Sequence, residues 1–483
     1  MAETGLRGKE NHLKVLILSI TSLAIIGSVK ILFNMIVGRS FGANSVEVLG
    51  MSSVVLSLAF LITTLCSTGY SNVASKFISD ALAKNKGGHA RRVFDRIIRN
   101  TVILALISAA IVGALAPELS TILNVDLIYF AFAVPIIVVA SLYYVIRATY
   151  YALGAVSAYF RREIFADAAF FAVLAGVILL GPAGLILLSF VIMYMIFLVL
   201  SFSSIHKRLP SDHTKTILRM KEEHAFAGLS TLGTVMSVAV IYLGTLLIGA
   251  IMGAYSAGIF AAALTTANLA LLIENGFTQV LIPEIAFLWG GQKSDKLHKY
   301  IMTWTMVLQL SAALFIGPLV IMSRDILNLM FGAEYLVGAN TAIIMLFGIY
   351  MLTIARTSVS ALASTDKIRV VVNASVLAFI AAAIAWTILI PLLGIEGGAL
   401  GYIVACSFDA IIPLAYARKK WNLDLKPLII PNLSFIIPII AIIVLVGQDD
   451  FFARGVATVL FVLTYIAINY HKIRNSMTVL RNN

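Results

Sequence analysis

Cysteine is nearly absent from this 483-residue chain, acidic side chains are few, and no hydrophilic stretch is long enough to fold by itself. The two cysteines, Cys66 and Cys406, lie inside apolar segments, which excludes a disulfide framework or a thiolate metal centre and leaves them as small core residues. Only 12% of residues are charged against 60% hydrophobic, with mean hydropathy +0.99, so an ordinary soluble domain is excluded. The two longest polar connections, Ser71 to Asn100 and Ser203 to His224, are basic and are expected to form amphipathic helices at the membrane surface. Neither has room for a catalytic domain, which argues against a glycosyltransferase or polysaccharide polymerase. No Gly-rich loop ends in Gly-Lys-Ser/Thr, no His or Cys pair has metal-ligand spacing, and no nucleophile faces a base at a recognisable spacing. We therefore expect no enzyme, no ATP-driven pump and no cofactor. Transport would draw on a Na+ or H+ gradient, the membrane potential or the substrate's own gradient.

Apolar stretches make up most of the chain. About fourteen can be drawn, each near the ~20 residues that cross a bilayer as a helix. The first, Val15 to Val37, is too long for a signal-peptide core and lacks a cleavage site, so it is expected to remain as segment 1. The gaps between segments alternate in charge. One set carries clusters such as Lys76, Lys84, Lys86, Arg91, Arg92 and Arg96, then Lys207, Arg208, Lys215, Arg219 and Lys221. The other set, around Pro117 to Asp126, Gly181 to Gly184, Ile251 to Ser256 and Leu392 to Glu396, carries no Lys or Arg. Basic residues in short loops stay in the cytoplasm, which predicts an inner or plasma membrane protein with both termini inside. Six cations escape the pattern, Lys30, Arg39, Arg147, Arg324, Arg356 and Arg454, leaving 29 of the 35 in the cytoplasm. With the charge spread over short loops, a pI near 9.6 points to anionic lipid headgroups and not to nucleic acid.

The two halves of the chain echo each other. Gly38 to Gly42 matches Gly249 to Gly253 at an offset of 211 (249 − 38), and Gly69-Tyr70 matches Gly276-Phe277 at 207 (276 − 69). Arg147 matches Arg356 at 209 (356 − 147), and Gly184 precedes Gly398 at a similar offset. An even number of crossings separates the copies, so the repeat is parallel, about an axis along the membrane normal. The expected fold is an all-α polytopic membrane protein: a six-helix lobe over 1–205, a basic cytoplasmic linker over 206–225, and a second six-helix lobe over 226–420. Two additional helices and a cytoplasmic tail over 421–483 complete it.

Ionisable groups inside the membrane are costly, so each one is a candidate for function. Lys30 lies about 17 residues into its segment, ~25 Å from the cytoplasmic end at 1.5 Å per residue, with Asn34 one turn further on the same face. It either faces a cavity, or reaches the outer interface, or pairs with a structural carboxylate. Arg147 in segment 4 and Arg356 in segment 10 stand either as snorkelling cations or as a pair that grips phosphate oxygens. Glu274 in segment 8 is a candidate counter-ion or Na+/H+ coupling group, or else half of a buried pair, and Asp409 in segment 12 is a second possible coupling group. Asp167 in segment 5 reads as structural. Pro135, Pro182, Pro283, Pro318, Pro391, Pro413 and Pro438 lie in or at the ends of segments, where they permit kinks or mark helix ends.

The ordered series Val37-Gly-Arg39-Ser-Phe-Gly42, Cys66-Ser-Thr-Gly69 through Lys76, Leu281-Ile-Pro283-Glu, Leu329-Met-Phe-Gly332, Ala361 through Lys367 and Pro391 through Gly398-Ala resembles one known family. It is similar to the polysaccharide (O-antigen type) flippases of the multidrug/oligosaccharidyl-lipid/polysaccharide exporter superfamily, over nearly the whole chain. The resemblance implies two six-helix lobes around a cavity with alternating access. Undecaprenyl- or dolichyl-linked oligosaccharide would be the substrate, its phosphate or pyrophosphate held by basic cavity residues. Bilayer lipids, and possible other polysaccharide assembly proteins, would be the partners. Tyr242-Leu-Gly244-Thr245 lacks the Asp that many members carry there, and Lys30 is the single cation where lipid II flippases carry paired arginines. A lipid II flippase, a multidrug/cation antiporter of the same superfamily and, from another class, a membrane polymerase are the competing readings.

Overall fold

The computed structural model describes residues 29–84, 86–209, 220–272, 281, 285, 289, 294–365, 367–446 and 450–481. Among them there is no strand; nearly everything is helix. In hydrocarbon each backbone N–H and C=O must find a partner within its own segment, and a helix does this without neighbours. We number the helices by the crossing each forms. They are α1 (29–40), α2 Ser45–Val73, α3 Gly87–Ala114, α4 Leu127–Ala152, α5 Val156–Leu180 and α6 Leu188–Arg208. Then follow α9 Ser294–Ile321, α10 Ala339–Ala363, α13 Ile429–Leu445 and α14 Phe451–Arg481.

Two helical stretches are too long for one crossing. Met220–Asn268 has 49 residues and Ile368–Trp421 has 54, about twice what a ~30 Å hydrocarbon layer requires. Each breaks at a glycine in a non-helical conformation: Gly253 (φ 84°) divides α7 (220–252) from α8 (254–268), and Gly394 (φ 61°) divides α11 (368–393) from α12 (395–421). Helices α11 and α12 fold back on each other. Gly397 abuts the Leu389 carbonyl, Trp386 Nε1 donates to Gly398 O at 2.9 Å, and Ser375 meets Asp409, pairs placed symmetrically about the break at Gly394. Eleven helices are long and apolar enough to cross a membrane. Two of them contain these breaks and each is long enough for two passes, so more than eleven crossings are present among the described residues. The protein is a multi-pass membrane protein.

The repeat is visible in the backbone. Eight-residue helices, Ala116–Leu123 and Ser323–Met330, precede the fourth and tenth crossings at an offset of 207 (323 − 116). A left-handed residue follows each, Asn124 (φ 51°) and Gly332 (φ 108°). Gly42 (φ 56°) and Gly253 (φ 84°), matched in the sequence, both carry positive φ where one crossing gives way to the next. Arg147 and Arg356 both fall in the last two turns of their helices.

The basic stretch from Ser71 to Asn100 does not form a separate interfacial helix. Residues 71–73 end α2, which continues through a π-helical turn, Ala74–Ile78, and Ser79–Ala83, while 87–100 open α3. Buried Val73, Ala74, Ile78, Ala90, Val93, Phe94 and Ile97 anchor these turns in the bundle, and the charged face of the amphipathic pattern is simply the end of two crossings. Residues 210–219 of the second basic stretch lie outside the described residues.

The chain packs as two compact units. One takes in Lys30 and Ser40–Gly258; the other takes in Ile31–Arg39 and the described residues from Ile259 onward. The first is built around Phe94, Phe130, Tyr150, Tyr159, Phe170 and Phe197, all fully buried. Its α3 and α7 are joined by a buried ion pair, Arg96 to Glu223 at 2.6 Å. In the second unit, Arg39 donates to the carbonyls of Asn328, Leu329 and Met330, the C-terminal end of the helix Ser323–Met330, where the helix dipole favours a cation. Helices α13 and α14 pack on α10 and α9 of this unit. Phe435 stacks on Tyr350 at 4.0 Å, Tyr350 donates to Asn432 Oδ1 at 2.9 Å, and Arg454 makes a bidentate pair with Asp325 at 2.6 and 2.7 Å.

Candidate substrate site

In the first unit Lys30 has an aromatic seat. Its Nζ lies 4.8 Å from the ring centroid of Tyr242 on α7 and 5.5 Å from that of Phe60 on α2, and these two rings stack on each other. An ammonium over a ring face gains ~0.5–2 kcal/mol from the ring quadrupole, more as water is excluded. Among the described residues Lys30 has no carboxylate partner, so its charge is cushioned but not cancelled.

Arg147 lies in the same unit. Helix α4 presents Tyr143 and Arg147 one turn apart, and α5 presents Tyr159, Glu163 and Asp167 at the same four-residue spacing, so each set shares a face. The Arg147 guanidinium is 5.7 Å from the Tyr159 ring and 5.9 Å from the Tyr151 ring, and it interacts electrostatically with Glu163. Tyr143 donates to Glu163 Oε1 at 2.5 Å, and its hydroxyl is 3.4 Å from that of Tyr159. Tyr194 and Phe197 of α6 pack their rings against Tyr143, both at 4.8 Å. Glu163 Oε2 and Asp167 Oδ2 are buried without a hydrogen-bond partner.

Tyr144 joins the two cations. It shares a hydrogen bond with Tyr194 and lies within electrostatic reach of both Tyr242 and Arg147. Lys30, Tyr144, Arg147, Tyr151 and Tyr242 are each half-buried, while Tyr143, Tyr159 and Glu163 behind them are buried. The result is a surface bearing two cations and several tyrosines, backed by a hydrogen-bonded layer that fixes Arg147. Such a surface can offer charge-assisted contacts to phosphate oxygens and flat aromatic faces to sugars.

The other candidates fall elsewhere. Asn34, one turn beyond Lys30, belongs to the second unit, where its Nδ2 donates to Thr265 Oγ1 at 2.6 Å and its Oδ1 is buried without a partner. Arg356 is half-buried on α10 of that unit, and Asp409 accepts from Ser375 Oγ at 3.0 Å across the α11–α12 hairpin. Glu274 lies outside the described residues. Glu163 and the tyrosines around it were not singled out from the sequence. The four-residue spacings Tyr143–Arg147 and Tyr159–Glu163–Asp167 were the available signal, since they align a cation and two acids on facing helix stripes.

No protein-family model and no curated protein matches this chain. Solved structures do match it in shape. The lipid II flippase MurJ in an inward closed conformation superposes with a TM-score of 0.66 at 15% identity, covering 95% of this chain and 99% of that one. A multidrug resistance MATE family transporter of the MOP superfamily, in an inward-facing conformation, gives 0.60 at 14% identity over 84% and 98%. A variant of the Vibrio cholerae MATE transporter VcmN gives 0.64 at 14% over 85% and 96%. The chain shares its fold with these solved structures. At these identities the likeness concerns architecture alone.

Proposed function

We propose that this protein is a flippase that carries lipid-linked oligosaccharide or polysaccharide repeat units from the cytoplasmic to the outer leaflet by alternating access. The observation that carries this reading is the pair of cations, Lys30 and Arg147, held on a tyrosine-rich surface of a single unit inside the membrane. A lipid-linked phosphate or pyrophosphate would meet the ammonium and the guanidinium, sugars would lie on tyrosine faces, and the polyprenyl or dolichyl chain would stay in apolar surroundings. Glu163 and Tyr143 keep Arg147 oriented in the absence of substrate. Arg356 and Asn34 are proposed as further contacts to the substrate, and Asp409 and Glu274 as coupling groups for Na+ or H+. Both termini are proposed to be cytoplasmic, and assembly proteins that deliver or extend the glycan are proposed partners. The MurJ likeness is consistent with a lipid-linked glycan as cargo.

One observation favours a second reading. The buried carboxylates of Glu163 and Asp167 would suit an exporter of cationic compounds, and one structure similar in shape is named a multidrug resistance MATE family transporter. Reconstitution into liposomes with a fluorescent lipid-linked oligosaccharide separates the two. Transbilayer movement faster than in protein-free vesicles, with no efflux of cationic dyes, is expected. Movement no faster than in empty vesicles would end the flippase reading.

A further inference from the structure

Beside the Arg147 guanidinium stand two acids on α5 whose charge opposes an anionic cargo. Glu163 and Asp167 are four residues apart, one turn or ~6 Å along the axis, and both are more than nine-tenths buried. Glu163 Oε1 accepts from Tyr143, while Glu163 Oε2 and Asp167 Oδ2 have no hydrogen-bond partner among the described residues. Arg147 interacts electrostatically with Glu163. The charge that Asp167 meets among the described residues is that of Glu163, and no cation.

Helix α5 packs on α6, on α4 and on the turn Ala183–Leu185, which adds no titratable group. From α4 come Tyr143, Tyr144 and Arg147, and from α6 comes Tyr194, all within electrostatic reach of Glu163. Helix α5 itself adds Tyr159. The basic residues of α6, His206, Lys207 and Arg208, lie in its last turn. Arg162 of α5 donates to the carbonyls of Ala158 and Leu200, and Arg161 is exposed.

The charge count then sets a condition on binding. With both acids ionised, the cluster holds one positive and two negative charges, and a phosphate approaching Arg147 meets a guanidinium already engaged. With both acids protonated, the full charge of Arg147 is free to meet it. A buried carboxylate without a compensating cation is costly, and a like charge one turn away adds to the cost, so a proton is the ligand that satisfies Asp167.

We infer that binding of a lipid-linked phosphate at this surface takes up a proton on the Glu163–Asp167 pair. Protonation loosens the hold of Glu163 on Arg147, and a phosphate oxygen takes the place of the carboxylate. This rests on the reading of Lys30 and Arg147 as an anion site. It gives the buried acids a part in handling an anionic cargo, and it fixes the sign of the linkage. A cationic solute at the same pair would displace protons instead.

The test is isothermal titration calorimetry of the full-length protein in detergent with a short-chain isoprenyl pyrophosphoryl sugar, a diphosphate diester whose own charge is constant near neutral pH. Titrations at one pH in two buffers of different protonation enthalpy count the protons exchanged. Uptake of about one proton per ligand is expected, with binding that tightens up to about tenfold for each unit of acidification. Glu163→Gln combined with Asp167→Asn imitates the protonated pair and should take up no proton, with affinity independent of pH. Should that variant fold poorly, Asp167→Asn alone should lower the uptake. Binding by the wild type with no proton uptake, or with release, would overturn the inference and leave the anion site standing. Uptake undiminished in the variants would do the same. Absence of binding at every pH would refute the anion reading, and the inference with it.

Discussion

Replacing Lys30 by Gln removes one positive charge while keeping most of the side chain's length, and its expected effect can be worked from the seat. The ammonium lies 4.8 Å from the Tyr242 ring and 5.5 Å from the Phe60 ring. Losing the cation–π contacts costs the fold at most ~2 kcal/mol, so folding and expression should survive. A charge-assisted contact to a phosphate oxygen contributes ~1.5–3 kcal/mol, which at 1.4 kcal/mol per decade predicts flipping slowed ~10- to 150-fold at subsaturating substrate. Tyr242→Leu keeps the charge but removes its nearer platform, so it should slow flipping less, by up to about tenfold. If Tyr242 acts by placing Lys30, the double variant should be no slower than Lys30→Gln alone, because the platform has nothing left to position. The assay is initial flipping rate in proteoliposomes, normalised to reconstituted protein. A Lys30→Gln rate within about twofold of wild type, or a Tyr242→Leu effect undiminished in the Lys30→Gln background, would refute the reasoning.

Other outcomes follow from named contacts. Glu223→Ala leaves Arg96 buried and unpaired and should destabilise the protein by ~3–5 kcal/mol, whereas Arg96→Leu combined with Glu223→Leu should regain most of that loss in thermal unfolding in detergent. Tyr143→Phe removes the 2.5 Å donor to Glu163 and should cost ~1–3 kcal/mol, but much less in a Glu163→Leu background, again by thermal unfolding. Gly50→Val should abolish monodisperse protein on size exclusion, because a Cβ there would sit 1.8 Å from the Ala254 carbonyl oxygen, a backbone atom that cannot rotate away. Gly176→Ala, which meets nothing within 4 Å, is the matched control and should leave thermal stability equal or up to ~1 kcal/mol higher.

The sequence by itself determined what depends on desolvation and local geometry. The membrane crossings follow from the energy of burying about twenty apolar residues each, which each segment meets independently of its neighbours. The repeat was legible in the glycines at 42 and 253, because a positive φ is required wherever they stand. The amphipathic stretch after Ser71 misled because charge periodicity describes a surface without saying whether it is a separate helix or the end of a long one. Lys30 could be named from its depth, and Arg147 from its match to Arg356 in the repeat. Only tertiary structure decided what they meet: Tyr242 is 212 residues (242 − 30) from Lys30, and Glu163 and Tyr159 reach Arg147 from another helix. Whether a cation rests on rings, pairs with an acid or caps a helix, as Arg39 does, depends on which helices pack together and in what register. Packing sets that register through contacts distant in the chain, and hydropathy carries no record of it.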